Sequence, residues 1–256
     1  MLGKIPAARL ALIEKIVARA TRLVPKNSRT IAADFLRAFF RGVAEEDLRA
    51  HRPRDLADAA LAHLEFGRQR TGNRVLVDIA PPLNAESSTA SHRALLRVVA
   101  PDMPFLVDSI SIVFSQLNIG VHLIVHPVLG VRRDPKGVLK AVSADRRESQ
   151  AESWQMMEID RPRDEAHAKE LESRVRAALE DVRRAVNDFR PMLERIRAVA
   201  HDLETAKLPV PRSHASEARA LLSWMHDGHF VFLGYRYYRL KRGRSISTIC
   251  QDSMRA

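Results

Sequence analysis

The histidines are the residues of this chain best suited to binding a metal ion, but their spacing argues against a metal site. His122 and His126 are four residues apart in the segment VHLIVHPV. On a strand that rises about 3.3 Å per residue they would lie roughly 13 Å apart, too far to bind one ion. His226 and His229 flank the end of a predicted helix without a third ligand nearby. The sequence therefore predicts no metal site.

Signals of catalysis and of nucleotide binding are also missing from the sequence. The ten glycines form neither G-x-G-x-x-G nor G-x-x-x-x-G-K, the loops that cradle phosphates. Cys250 belongs to no Cys/His arrangement that would activate a thiol. Glu158 and Asp160 alternate along a predicted strand as solvated edge residues do, although a catalytic carboxylate pair stays an alternative there. We therefore predict that the chain itself holds no catalytic residue and no cofactor.

One loop has the chemistry of a small-molecule site. It directly precedes a predicted helix, whose first backbone N–H groups are unpaired and attract an anionic group. The carboxylate of an amino acid could bind these amides while Asp102 or a neighbouring chain receives its ammonium group. Asp102 could instead serve only as the helix cap. With two residues after the helix that tolerate positive φ, the predicted effector-binding residues are Asp102, Met103, Pro104, Phe105, Asn118 and Gly120.

The hydrophobic pattern places this loop between a strand and a helix. Residues 94–99 form a short apolar strand, and residues 105–117 carry apolar side chains at helical spacing. Residues 121–132 are nearly continuous in apolar character, which predicts one central strand covered on both faces. The turn Asp134-Pro135-Lys136-Gly137 predicts a hairpin to the next strand. Further strands are predicted over residues 74–79, 138–142, 153–160, 229–240 and 245–250.

Helical segments flank this region on both sides. Ser28 is the predicted N-cap of the second helix, and Pro191 is expected to kink or divide a long later helix. Helices are predicted over residues 5–24, 28–40, 45–50, 53–69, 164–207 and 216–226. The chain is thus expected to consist of an N-terminal helical segment (1–71), an α/β domain (72–161), a second helical segment (162–228) and the start of a β region (229–256).

Composition and charge limit the class of protein. Hydrophobic residues make up 46% and charged residues 29%, as in ordinary globular proteins. No apolar run reaches the roughly 18–20 residues of a membrane span, and a single cysteine fits a reducing cytoplasm. The net charge of +11 lies on the flanking helices, as arginines interleaved with acidic residues. We therefore expect a cytoplasmic protein that binds neither membranes nor nucleic acid, with nucleic-acid binding as the weaker alternative.

The loop and the elements around it resemble the ACT-domain pattern. The segment D-x-P-F-L precedes a helix, N-I-G-V and a long apolar strand, where the pattern has D-x-P-G-L, a helix and a G-I-N-I-like strand entry. The resemblance implies an α+β fold with a ferredoxin-like βαββαβ sheet-and-helix domain. Phe105 stands where the pattern has a glycine that often lets a ligand approach the backbone.

Six segments in the same order resemble the N-terminal region of the large bacterial NAD-specific glutamate dehydrogenases. They are FLRAFFRGVAEEDL (35–48), MPFLVDSI (103–110), VHLIVHPVLGVRRD (121–134), ESWQMMEID (152–160), DVRRAVNDFRPM (181–192) and HFVFLGYRYYRL (229–240). That family converts L-glutamate, NAD and water to 2-oxoglutarate, ammonia and NADH. Its catalytic and Rossmann portions lie far downstream, and its N-terminal ACT-like modules are thought of as regulatory and oligomer-forming.

The resemblance implies a regulatory and assembly region without a dehydrogenase site. The chain closes with QDSMRA where family members run on, so we expect a fragment or a truncated gene product, inactive alone. NAD would be the cofactor of the full-length family, and the partners would be downstream domains of the same enzyme or further copies, with an amino acid as effector. The alternative is a stand-alone ACT-like module that senses amino acids or pairs with other proteins through its sheet.

Overall fold

The computed structural model describes residues 6–83, 92–143, 150–205, 207, 209–236, 238, 240–242 and 247–249. The chain divides into two units, Met1–Glu180 and Asp181–Ala256. Helices and an antiparallel sheet together build the first unit, which confirms the predicted α+β class. Within the described ranges, no helix is long and apolar enough to cross a bilayer.

Four N-terminal helices begin the first unit. They are α1 (Ala7–Leu23), α2 (Arg29–Phe39), α3 (Glu45–Ala50) and α4 (Pro53–Phe66), with a 3-10 turn at Lys26–Ser28 before α2. Ser28 occupies the N-cap position of α2, but its side chain makes no capping hydrogen bond. Its backbone is helical, with φ −102° and ψ −4°. A capping residue normally has an extended backbone, which directs its side chain toward the first N–H groups of the helix. The predicted side-chain cap is therefore wrong.

One six-stranded sheet lies at the centre of the first unit. Its strands are β1 (Leu76–Ala80), β2 (Arg93–Pro101), β3 (Val121–Val125), β4 (Val128–Arg133), β5 (Leu139–Ser143) and β6 (Gln150–Asp160), with helix α5 (Leu106–Gln116) between β2 and β3. The central strand β6 is antiparallel to β2 on one side and to β3 and then β4 on the other. The helix α5 therefore joins two strands that lie on either side of β6, the split βαβ arrangement. The edge beside β2 is formed by β1, which precedes it in the chain.

The apolar run over residues 121–132 forms two strands rather than one. It is interrupted at Pro127, whose carbonyl accepts a hydrogen bond from the Trp154 N–H at 3.0 Å. Proline has no N–H to contribute to a ladder, so pairing stops and resumes there. Val121 and Ile124 on β3 are exposed. The prediction of one central strand covered on both faces is therefore wrong, whereas the predicted hairpin from β4 to β5 is confirmed.

Helices cover both faces of the sheet. On one face, helices α1, α2 and α4 pack around Trp154 and Met156 of β6, together with apolar residues of β2 to β5. On the other face, helix α5 and the first part of helix α6 (Glu165–Thr205) pack against Met157 and Ile159. Successive residues of a strand point to opposite faces, so one central strand contributes to both cores.

The second unit contains the rest of α6, helix α7 (Arg212–Trp224), a π-type turn at Met225–His229 and a short hairpin, β7 (Leu240–Arg242) with β8 (Ser247–Ile249). The helix α6 continues through Pro191, so it is not divided there, and the alternative expectation of a kink stays a prediction. Residues 231–236 adopt no strand, contrary to the prediction over 229–240, and no described strand lies beside them. The predicted return strand is confirmed at β8, while Cys250 lies outside the described residues.

Candidate effector site

The predicted loop lies between the end of β2 and the start of α5. The backbone N–H of Asp102 donates to the carbonyl of Ala151 at 3.0 Å, which ties the loop to β6. The N-cap residue of α5 is Phe105, and the Ser109 N–H donates to its carbonyl at 3.0 Å. Asp102 therefore does not occupy the cap position that one interpretation gave it.

Phe105 adopts a left-handed backbone conformation, with φ 67° and ψ 10°. Its side chain is 55% exposed. For a residue with a Cβ this conformation costs roughly 1–2 kcal/mol, a cost that glycine avoids. The backbone geometry thus gives a physical reason for the glycine of the ACT pattern at this position, separate from any ligand.

Asn118 and Gly120 lie at the other end of α5. Asn118 has φ 52°, as its predicted tolerance of positive φ suggested. Gly120 is not among the described residues with positive φ, so the reason predicted for it is wrong. A Cβ there would lie 2.6 Å from Oδ2 of Asp160, and the Gly120 N–H donates to that oxygen at 2.7 Å. Close approach to a carboxylate, rather than backbone conformation, explains this glycine.

The six predicted residues form two groups rather than one pocket. Helix α5 has 11 residues and is therefore about 16 Å long. Asp102, Met103, Pro104 and Phe105 lie at its N-terminal end, whereas Asn118 and Gly120 lie beyond its C-terminal end. Within one copy of the chain, a single amino acid cannot contact both groups.

The Asp160 carboxylate organises the polar side chains near Gly120. Its Oδ1 lies 2.8 Å from Nε2 of His122 and 3.9 Å from Nη1 of Arg93. His122 is therefore paired with a carboxylate rather than with His126, which lies in the break between β3 and β4. Among the residues that the structure describes, no group of three His, Cys, Asp or Glu side chains could hold a metal ion.

Glu158 differs from the solvated edge residue that its pattern suggested, because β6 is the central strand. Its Oε2 lies 3.9 Å from Nε2 of His51, and both side chains are largely buried. The interaction with Glu158 raises the pKa of His51 above its ordinary value. The pair joins the end of α3 to the sheet, which is a structural role.

Glu152, Arg70 and Arg133 form a buried ion cluster that no sequence motif indicated. The side chain of Glu152 is 0% exposed, and those of Arg70 and Arg133 are 2% and 5% exposed. Glu152 Oε1 accepts from Nη2 of Arg70 at 2.7 Å and from Nε of Arg133 at 2.7 Å. Trp154 Nε1 donates to Oε2 of Glu152 at 3.1 Å. The available signal was alternation, since Glu152 shares a strand face with Trp154 and Met156.

The cluster fastens the β4–β5 hairpin to the end of α4. Arg133 also donates to the carbonyls of Gly67, Arg68 and Gly137, so its guanidinium is fully used. Burial alone would raise the pKa of Glu152, but hydrogen bonds from Arg133 and Arg70 outweigh it and hold the pKa below its ordinary value. The donor set is occupied by protein groups and offers nothing to a ligand.

A groove of about 410 Å³ lies between α1, α2 and the end of β5. Its polar rim includes Arg37, whose guanidinium is held by Glu14 at 2.7 and 3.0 Å. None of the six predicted effector-binding residues lines it; the lining residues are Leu10, Ile13, Asp34, Arg37, Ala38, Arg41, Val142 and Ser143.

Comparison with known proteins places this region in a family. Residues 35–175, more than half of the chain, match the family model described as glutamate dehydrogenase, ACT1 domain. The match covers the last part of α2, all of α3, α4, the sheet and α5, and the first part of α6, which together hold most residues of both cores.

Three similar proteins are each named NAD-specific glutamate dehydrogenase. The one from Halomonas elongata is 31% identical over 238 residues, covering 91% of this chain and 15% of the relative. The one from Pseudomonas aeruginosa is 33% identical over 210 residues, covering 80% and 13%. The one from Mycobacterium tuberculosis is 26% identical over 188 residues, covering 71% and 11%. The chain thus spans about a seventh or less of these relatives and belongs to the glutamate dehydrogenase ACT1 domain family.

Proposed function

We propose that this chain is the N-terminal regulatory and assembly region of an NAD-dependent glutamate dehydrogenase. The observation that carries the proposal is the ACT1 match over residues 35–175, the segment that forms the sheet and most of the core residues on its two faces. In this proposal the 256 residues take no direct part in the chemistry. NAD and glutamate bind to other parts of the enzyme, in the cytoplasm. The region acts on those parts through its position in the enzyme and through assembly.

The second candidate is a stand-alone ACT-like module that senses amino acids or pairs through its sheet. Both sheet faces are covered by helices, so sheet pairing is restricted to the edges. At the β1 edge, Glu172 of α6 accepts from the Ile79 N–H at 3.1 Å, and Arg176 donates to the carbonyls of Val75 and Val77. The described sheet also has edges at β3 and β5. The β3 edge favours this candidate because Val121 and Ile124 are exposed on it.

Calorimetry with the twenty amino acids tests the regulatory role. If an amino acid is the effector, the wild-type chain releases or absorbs heat with one of them. Since the two predicted groups lie at opposite ends of α5, Asp102→Ala and Asn118→Gly separate them. We expect one variant to weaken binding at least about tenfold and the other to retain it. Absence of binding to the wild type would leave the assembly role and exclude sensing by this chain alone.

A further inference from the structure

The segment after α7 has the composition of a strand but no strand beside it. Residues 230–236 read FVFLGYR, rich in the aromatic and β-branched residues that favour strands. Phe230 is extended (φ −141°, ψ 142°), and its ring centroid lies 5.0 Å from that of Phe232. Neighbours two residues apart share a face in this way along a strand. Yet, among the described residues, none forms a backbone hydrogen bond with residues 231–236.

The apolar side chains of this segment are exposed, except that of Phe232. Leu233 is 78% exposed and Val231 is 60% exposed. Helix α7, which precedes the segment, buries none of its residues. In the described part of the second unit, the buried apolar side chains are those of Met192 and Phe232. Exposed apolar residues concentrated in one segment mark an interaction surface.

The hairpin that follows also lacks neighbours. Strands β7 and β8 have three residues each and pair only with one another among the described strands. An isolated two-stranded hairpin is marginally stable in water, and a third strand is normally needed. Among the described residues, the hairpin therefore lacks the third strand that would normally stabilise it.

Charge indicates the nature of the missing strand. Between Asp227 and Asp252 the sequence contains no acidic residue and five basic ones, Arg236, Arg239, Lys241, Arg242 and Arg244. Arg236 lies within residues 230–236, and the other four follow it; a second copy paired in parallel register would place Arg236 opposite Arg236, which is destabilising. A strand that carries Asp or Glu beside apolar residues would complement it.

We propose that residues 230–236 are a docking strand that pairs edge to edge with an apolar, acid-bearing strand. The partner strand belongs to the part of a full-length glutamate dehydrogenase chain that lies outside the region matched here. This inference rests on the proposed assembly role. The relatives make such a partner available, since the matched region covers only 11–15% of their length.

Hydrogen exchange tests the docking strand in two settings. In the purified 256-residue chain we expect a monomer whose amides over residues 231–236 exchange without protection. The same chain is then placed in the Pseudomonas aeruginosa enzyme in exchange for its matching region. In that chimera we expect these amides to exchange at least about tenfold more slowly, because a paired amide must open before it exchanges.

Two proline variants identify backbone pairing as the cause. Successive residues of a strand point their N–H groups to opposite edges, so either Leu233→Pro or Gly234→Pro removes a donor aimed at the partner. We expect one of them to return the neighbouring amides of the chimera to fast exchange. Both should leave the thermal unfolding of the isolated chain unchanged. Leu221→Ser, an exposed apolar residue of α7, is the control and should keep the protection.

Fast exchange over residues 231–236 in a chimera that forms NADH would overturn the proposal. Protection of these amides in the isolated chain, whether it is a monomer or a dimer, would also overturn it. Should the chimera form no NADH, the Pseudomonas aeruginosa enzyme without its matching region is co-expressed with the 256-residue chain. Fast exchange in that mixture also overturns it. The proposed function fails separately, through glutamate-dependent NADH formation by the isolated chain.

Discussion

Two residues at the ends of α5, Phe105 and Asn118, adopt left-handed backbone conformations. Asn118 was predictable, because asparagine is one of the few residues that visit this region readily. The conformation of Phe105 was not, since an aromatic residue gives no local signal for it and the surrounding fold imposes it. The predicted effector-binding residues lie beside α5, as expected, while their separation by the length of that helix emerged only from the structure. Binding of an effector by them stays a prediction.

Replacing Phe105 measures the cost of its backbone conformation. Because both Ala and Gly remove the exposed ring, the difference between Phe105→Gly and Phe105→Ala isolates the backbone. Glycine avoids the strain of about 1–2 kcal/mol but loses more conformational freedom on folding, so we expect the glycine variant to be more stable in urea unfolding by about 0.5–1 kcal/mol. Equal free energies of unfolding for the two variants would contradict a left-handed conformation at this position.

His63 gives the fold a dependence on pH. It is fully buried beside Phe39 and Trp154, and both ring nitrogens lack a hydrogen-bond partner among the described residues. Burial, aided by the nearby charge of Arg97, lowers its pKa from 6.5 to about 3. Because the folded-state pKa lies below the ordinary value, protonation favours the unfolded chain. The stability contributed by neutral His63 is complete above pH 6.5 and is lost as the pH falls toward 3.

A leucine at position 63 should remove this dependence. Between pH 6 and pH 4 we expect the free energy of unfolding of the wild type to fall more steeply than that of His63→Leu, by up to about 1.4 kcal/mol per pH unit. His126→Leu, at an exposed position, should keep the wild-type slope. Parallel slopes for wild type and His63→Leu would show that His63 is not buried as described.

The ion cluster around Glu152 should be costly to break. Glu152→Gln leaves two buried guanidinium groups without their counter-charge, and we expect the free energy of unfolding to fall by about 3–5 kcal/mol. Glu65→Gln is the matched control, because the Glu65–Arg68 pair is largely exposed and worth less than about 1 kcal/mol. A loss of similar size in both variants, measured by urea unfolding, would contradict the cluster.

At the scale of elements, neighbours decide what a hydrophobic pattern becomes. The apolar runs over 121–132 and 229–240 both suggested long strands, but Pro127 stops the ladder in the first. The second has no described strand beside residues 231–236. Strand propensity is a local property of a segment. A strand also needs a partner strand, and the sequence of the segment itself does not show whether one is available. The turn at Asp134–Gly137 was predictable because its geometry is local.

The β1 edge is closed by side chains of α6 rather than by another strand. Glu172→Ala removes the acceptor of the Ile79 N–H, so we expect that amide to exchange about tenfold faster with deuterium. Glu170→Ala, which removes an exposed partner of Arg174 on the same helix, should leave it unchanged. If the Ile79 amide exchanges at the same rate in the wild type and in Glu172→Ala, Glu172 does not close this edge.

For the whole molecule, the sequence predicts helical segments before and after the sheet region along the chain. It does not predict how these helices pack against the sheet. The apolar stripe of α2 predicts that one face is buried, not what buries it. In the structure its Phe35 contacts Trp154 of β6, with ring centroids 5.0 Å apart. The N-terminal helices thus share a core with the sheet, and the first unit combines the two.

Glutamate-dependent reduction of NAD by the purified chain tests most directly whether this region is regulatory and not itself catalytic. The chain is first shown to unfold cooperatively, and absorbance at 340 nm is then followed with saturating L-glutamate and NAD. We expect no NADH above the rate without the chain, because in the proposed role these residues assist the reaction only as part of a larger enzyme. Turnover that scales with the concentration of the 256-residue chain would contradict it.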